Sequence, residues 1–184
     1  LAEQPGMDHI VVDAHGHWPD PLHRATRLVR ADPALLCGQL AARIGAAAPS
    51  PWLAAFQAEE QRAAGLAKHN APLEATAVET IVDLLPAGGI LFSGNSMAIR
   101  DLDAYSGTAA KSLRIAGNRG ASGIDGNVST ALGLAAGSQQ PVVALLGDLT
   151  FYHDMNGLLA ARGLDAVFVV LNNGGGGIFE YLPQ

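Results

Sequence analysis

The chain has 184 residues and a formal net charge of −6, with 49% hydrophobic and 15% charged residues. That apolar content argues for a folded chain with a sizeable core, and the acidic balance excludes a general nucleic-acid-binding surface, which would be basic. No apolar run approaches the ~20 residues needed to cross a bilayer. No basic region followed by an apolar core marks a signal peptide, so the expected location is cytoplasmic.

In chain order, His9 to Val12 reads as a short strand. Asp32-Pro33 is a helix start, with Asp as cap and Pro in the first turn, and predicts a helix to about Ala46. The single Cys37 rules out an intramolecular disulfide. Its place among Leu36, Leu40 and Ile44 predicts a buried, inert thiol. The Ala46–Trp52 stretch, AAAPSPW, marks a boundary, and Ser50-Pro51 opens a connector helix to His69. The next helix shows Leu73, Ala77, Ile81 and Leu84 at helical spacing, and Pro86 with Gly88-Gly89 ends it. Gly89 to Phe92 is a strand, followed by a short helix through Arg100. Leu113 to Ala116 is the next strand. Val128, Ala131, Leu132 and Ala135 then repeat as a helix. Val142 to Leu146 and Val167 to Leu171 are apolar strands with a helical segment between them.

Strands alternating with helices imply an α/β fold with a parallel, doubly wound sheet. Each strand of this sheet ends in a polar cluster: Gly94-Asn95-Ser96, Asn118-Arg119-Gly120, Gly147-Asp148 and Asn172-Asn173. In open α/β sheets the carboxyl edge is where ligands bind. One carboxylate and one carboxamide converge there, beside four glycines (Gly174 to Gly177). Hard oxygen ligands suit Mg²⁺, which takes its remaining ligands from phosphates. The pattern points to a magnesium-diphosphate site. A GD or an NN alone would be ordinary strand-end capping, and a glycine run alone could be a tether. Here the run follows a strand, so its N–H groups can form an anion nest. Thr150 offers a hydroxyl, and the start of its helix adds partial positive charge.

Asp148, with Asn173 following 25 positions later (148 to 173), resembles the thiamine-diphosphate fingerprint. Leu149 stands where that family usually has Gly, a departure typical of one branch. Gly174 stands where Asn or Asp is usual. GNSMAIRDLD (Gly94 to Asp103), NRGASGIDG (Asn118 to Gly126), GDLTFYHDMNGLL and GGGIFEYLPQ (Gly175 to Gln184) together resemble the menaquinone-biosynthesis synthases that join 2-oxoglutarate to isochorismate. The resemblance covers roughly residues 90 to 184, and more weakly 1 to 50. It implies thiamine diphosphate and Mg²⁺, with Mn²⁺ as a substitute. The Asp148 and Asn173 side chains and the Gly175 carbonyl would hold the metal. Ser96, Ser122, Ile124, Gly147, Leu149, Thr150, Gly177 and Ile178 would contact the cofactor, with Ile124 as the apolar prop for its bent shape. Asn95, Arg100, Arg119 and Phe179 would contact the substrates, the two arginines through carboxylates.

The resemblance also implies a domain plan. Residues 1–48 would end a middle domain, 49–70 would be a connector helix, and 71–184 would begin the diphosphate-binding domain. On that reading the chain is a fragment, lacks the activating Glu of the N-terminal domain, and is inactive alone. Its parent would be a cytoplasmic homo-oligomer, a dimer or tetramer, with no membrane or nucleic-acid partner. Two other classes stay open: another thiamine enzyme of the acetolactate synthase or 2-oxo acid decarboxylase type, and a non-catalytic binding or assembly module. His15 and His17 form an HxH pair without a third ligand and read as loop. His153-Asp154 reads as helix, with the Asp favouring the helix start. Trp18 and Trp52 read as packing residues.

Overall fold

The computed structural model describes residues 6–45, 50–69, 71–107 and 111–182. The expected 48/49 boundary and the last two residues of GGGIFEYLPQ lie outside them. The chain divides into two compact units, Leu1–Arg62 and Ala63–Gln184.

The first unit pairs two short parallel strands, β1 (Ile10–Val12) and β2 (Arg27–Val29). Their connection is organised by carboxylates. Asp13 Oδ1 accepts from the His15 and His17 N–H groups, both at 2.8 Å. Those bonds, the one from His17 foremost, hold the Asp13 carboxyl below its ordinary pKa. The HxH pair is therefore a loop, as expected. Helix α1 (Pro33–Ile44) starts as its sequence dictates, with Asp32 accepting from Leu35 N–H at 2.9 Å. Cys37 is a correction: it is exposed, because α1 covers none of its residues. The packing expected of the tryptophans is at most local. Trp52, on α2 (Pro51–His69), is exposed and stacks on Phe56 one turn later, and Trp18 is also exposed.

The second unit is a four-stranded parallel sheet in the order β4-β3-β5-β6. Its strands are β3 (Ile90–Ser93), β4 (Arg114–Gly117), β5 (Val142–Gly147) and β6 (Ala166–Leu171). Its helices are α3 (Leu73–Leu84), α4 (Met97–Tyr105), α5 (Asn127–Ser138) and α6 (Asp148–Asp154), the last running into a 3₁₀ segment, Met155–Ala160.

Strand alternation sorts the core into two layers. Ile90, Phe92, Val142, Ala144 and Leu146 pack with Val128, Ala131, Leu132 and Ala135 of α5. Leu91 and Leu145 face the other way, onto Val78, Ile81 and Val82 of α3 and Ala98 and Leu102 of α4. Covering both faces is what lets Ile90–Phe92 of β3 and the inner part of β5 be apolar throughout. Each large side chain buried this completely contributes about 1.5–3 kcal/mol.

The α5 face agrees with the sequence reading residue for residue. The α3 face does not. Leu73 and Leu84 are exposed, and Ala75, Val78, Ile81, Val82 and Leu85 are buried. Apolar residues lie on two overlapping stripes of that helix, and the sheet selects the second.

The chain leaves β3 toward β4 on one side and returns to β5 on the other. The direction of winding therefore reverses between β3 and β5. That crevice at the carboxyl edge is where a ligand fits this fold class.

Candidate functional site

All four polar clusters lie at one end of the sheet, because all four strands are parallel. The β5–β6 register pairs Gly147 with Leu171, which sets Asp148 beside Asn172-Asn173. A Cβ on Gly175 would meet Leu149 at 3.4–3.5 Å, and a Cβ on Gly177 would overlap the Asn173 amide at 2.5 Å. The glycine run thus folds back over both strand ends. Gly174, Gly175 and Gly176 all have positive φ (80°, 84° and 69°), a conformation glycine adopts freely. The register and the turn thus set the positions of Asp148, Asn173 and Gly175 at neighbouring strand ends. This donor set fits Mg²⁺ and a diphosphate.

The expected anion nest needs amending. Gly174 N–H donates to Asn172 Oδ1 at 3.0 Å, and Gly175 N–H donates to Asn173 Oδ1 at 3.2 Å. Two donors are therefore spent inside the turn. The expected helix-start contribution is also small, because α6 has only seven residues before it tightens into the 3₁₀ segment. Thr150 is buried, while Leu149 is exposed. Asp148 Oδ1 accepts from Leu149 N–H at 2.8 Å.

On the other side of the crevice stands Asn95, buried at the end of β3. Its Oδ1 accepts from Arg119 Nη1 at 2.7 Å. Its Nδ2 donates to the Gly123 and Asn118 carbonyls at 2.8 and 3.2 Å. Ser96 follows with φ 64° and ψ −129°, a strained backbone for a residue with a Cβ. Arg100 turns back to donate to the Ser96 carbonyl at 2.7 Å. Arg100 and Arg119 meet again as lining of a shallow pocket of about 390 Å³, with Ile99, Leu102 and Ile115 as its apolar part. Ile124 is 40% exposed at the turn before α5, and Phe179 is 61% exposed in the 3₁₀ segment Gly177–Tyr181 that also carries Ile178. Ser122 Oγ donates weakly, at 3.4 Å, to the Arg119 carbonyl.

Two parts of this arrangement escaped the sequence reading. Asp154 does not serve the start of its own helix; it ends α6. Its Oδ2 accepts from Ser129 N–H at 2.9 Å, which caps the first turn of α5. Asn127, fully buried, donates to the Gly123 and Asp125 carbonyls, both at 3.1 Å. The only available signal was the residue type, since Asn and Asp side chains near helix ends commonly bond to backbone groups.

Among the described residues no group of three or more His, Cys, Asp or Glu gathers as a metal site. No helix among them is long and apolar enough to cross a membrane.

A doubly wound parallel sheet with Asp148, Asn173 and a glycine turn at its carboxyl edge is the architecture of an α/β ligand-binding domain. Residues 105–184 match the family described as thiamine pyrophosphate enzyme, C-terminal TPP binding domain. Asn95, Ser96 and Arg100 lie before that match, but similarity to whole enzymes includes them. The chain is 46% identical over 194 residues to the 2-succinyl-5-enolpyruvyl-6-hydroxy-3-cyclohexene-1-carboxylate synthase of Geobacillus kaustophilus, covering 100% of this chain and 33% of the relative. The synthase of the same name from Chloroflexus aurantiacus is 43% identical over 194 residues, covering 100% and 33%. That from Bacillus velezensis is 37% identical over 190 residues, again covering 100% and 33%. Along its whole length the chain is similar to these synthases, and its residues 105–184 match the C-terminal TPP binding domain of thiamine pyrophosphate enzymes. It spans about a third of the length of these relatives.

Proposed function

We propose that this chain supplies the cofactor-binding part of an enzyme that joins 2-oxoglutarate, with loss of carbon dioxide, to isochorismate in menaquinone biosynthesis. The observation that carries the reading is the β5–β6 register, which sets Asp148 beside Asn172-Asn173 while Leu149 lies against Gly175. Asp148, Asn173 and the Gly175 carbonyl would hold Mg²⁺, or Mn²⁺ in its place, and the metal would anchor the diphosphate. Gly147, Leu149, Thr150, Gly177 and Ile178 surround that anchor. Ser96 and Ser122 would border the rest of the cofactor, and Ile124 would support it from below. Thiamine diphosphate, when bound, supplies the electron sink that decarboxylation requires.

The chain's own residues bind and orient. Arg100 and Arg119 present guanidinium groups to substrate carboxylates, which they match in geometry and charge. Phe179 adds an exposed apolar surface at the same edge. Under this reading residues 1–48 end a middle domain, 49–70 connect, and 71–184 belong to the diphosphate-binding domain. The enzyme would be a cytoplasmic homo-oligomer, with its activating Glu outside this chain.

The test is turnover by the full-length protein with 2-oxoglutarate and isochorismate, set against pyruvate alone. Arg100→Ala and Arg119→Ala should each weaken use of the two acids by roughly 2–5 kcal/mol of binding, with cofactor affinity nearly unchanged. Preferential turnover of pyruvate would transfer the protein to the acetolactate synthase or decarboxylase class.

A further inference from the structure

We propose that Asn95 is a positioning residue: one buried carboxamide sets both the Arg119 guanidinium and the turn that carries Ile124. The inference rests on the reading above, in which Arg119 meets a substrate carboxylate and Ile124 supports the cofactor. It replaces direct substrate contact by Asn95 with action through its neighbours.

A carboxamide has two N–H donors and one acceptor oxygen. In Asn95 both kinds are engaged. Oδ1 accepts from Arg119 at 2.7 Å, and Nδ2 donates to Gly123 at 2.8 Å and Asn118 at 3.2 Å. The partners fix which end is which. Reversed, the oxygen would face two carbonyl oxygens and the amide nitrogen a guanidinium. No other side chain of this size serves all three. Aspartate would set a carboxylate against two carbonyls, glutamine is one methylene too long, and alanine drops every bond.

The loop it grips is anchored elsewhere as well. Asn127 holds the same Gly123 carbonyl, and that of Asp125, so Ile124 sits between two clamped carbonyls. Asn118 Nδ2 donates to Thr130 Oγ1 at 3.1 Å, and that hydroxyl donates to Gly126 at 2.7 Å. Asn95 is the residue that bonds both to this loop and to the Arg119 side chain. Arg119 and Ile124 themselves remain exposed. An exposed arginine held in one rotamer gives up less freedom when an anion arrives.

The first test is a double-variant cycle in the full-length protein at saturating cofactor: Asn95→Ala, Arg119→Ala and both. Beside an intact Arg119, Asn95→Ala should raise the apparent KM of a carboxylated substrate about 10- to 100-fold, with a smaller change in kcat. In the Arg119→Ala background the same change should cost less than about threefold, because the two residues act as one unit. Effects that multiply in the double variant would overturn the proposal in favour of direct contact or general damage.

The second test needs no substrate. Amide hydrogen exchange over residues 118–126 of the ligand-free protein should accelerate in Asn95→Ala and in Asn127→Val, with β3 and β5 unchanged. Unaltered exchange in Asn95→Ala would overturn the positioning role whatever the reaction. If the unaltered protein turns over neither acid, the substrate reading fails, and exchange alone decides whether Asn95 holds the loop.

Discussion

Gly157→Ala probes the contact by which the 3₁₀ segment after α6 docks on the start of α5. A Cβ at position 157 would lie 2.7 Å from Ser129 Oγ, 3.1 Å from Val128 Cγ1 and 3.2 Å from Ser129 N. The hydroxyl can rotate away. Val128 is fully buried, and Ser129 N–H is bonded to Asp154 at 2.9 Å, so neither of those neighbours can. Overpacking of this kind costs about 1–3 kcal/mol. Loosening the Asp154 cap adds about 1 kcal/mol. Against that, alanine saves about 0.5–1 kcal/mol of backbone entropy relative to glycine. The expected net loss is about 1–3 kcal/mol in denaturant unfolding of the full-length protein. Gly133→Ala is the internal control: it lies on α5 with open space around its Cβ, and should gain about 0.5–1 kcal/mol. If Gly157→Ala stabilises as much as Gly133→Ala, the close approach of the two segments is wrong.

Other substitutions test separate features. Asp101 is buried with Oδ2 unpartnered; burial first, and Glu74 second, raises its pKa above 3.8. The folded state therefore binds more proton than the unfolded between 3.8 and that raised value, so this residue's contribution makes stability fall as pH rises through that window. Asp101→Asn should remove the slope and gain about 1–3 kcal/mol at pH 8 in urea unfolding, and a loss there would contradict it. Ser96→Gly should relieve the strained backbone at φ 64° and raise stability by about 1 kcal/mol in thermal melting, and a lower melting temperature would deny the strain.

The sheet was legible because its strands are short apolar runs bounded by polar, Gly or Pro residues, and the α5 repeat faces one side only. The α3 face was not, because its apolar residues fill two overlapping stripes and the choice between them is tertiary. Asp148 and Asn173 could be paired from sequence, since adjacent parallel strands end together. The grip of Asn95 on Gly123, and of Asp154 on Ser129, joins residues 28 and 25 positions apart on different elements, where no periodicity announces the contact. Cys37 was misread because an amphipathic pattern states which face can be covered, not that it is covered.

Under the proposed function, neighbouring strand ends hold a metal-anchored diphosphate. Calorimetric titration of the full-length protein with thiamine diphosphate, with Mg²⁺ or with a chelator, tests it most directly. Binding should require the metal and should be lost in Asp148→Ala and in Asn173→Ala, while the fold survives by circular dichroism. Equal affinity with chelator present, or undiminished affinity in both variants, would contradict the assignment.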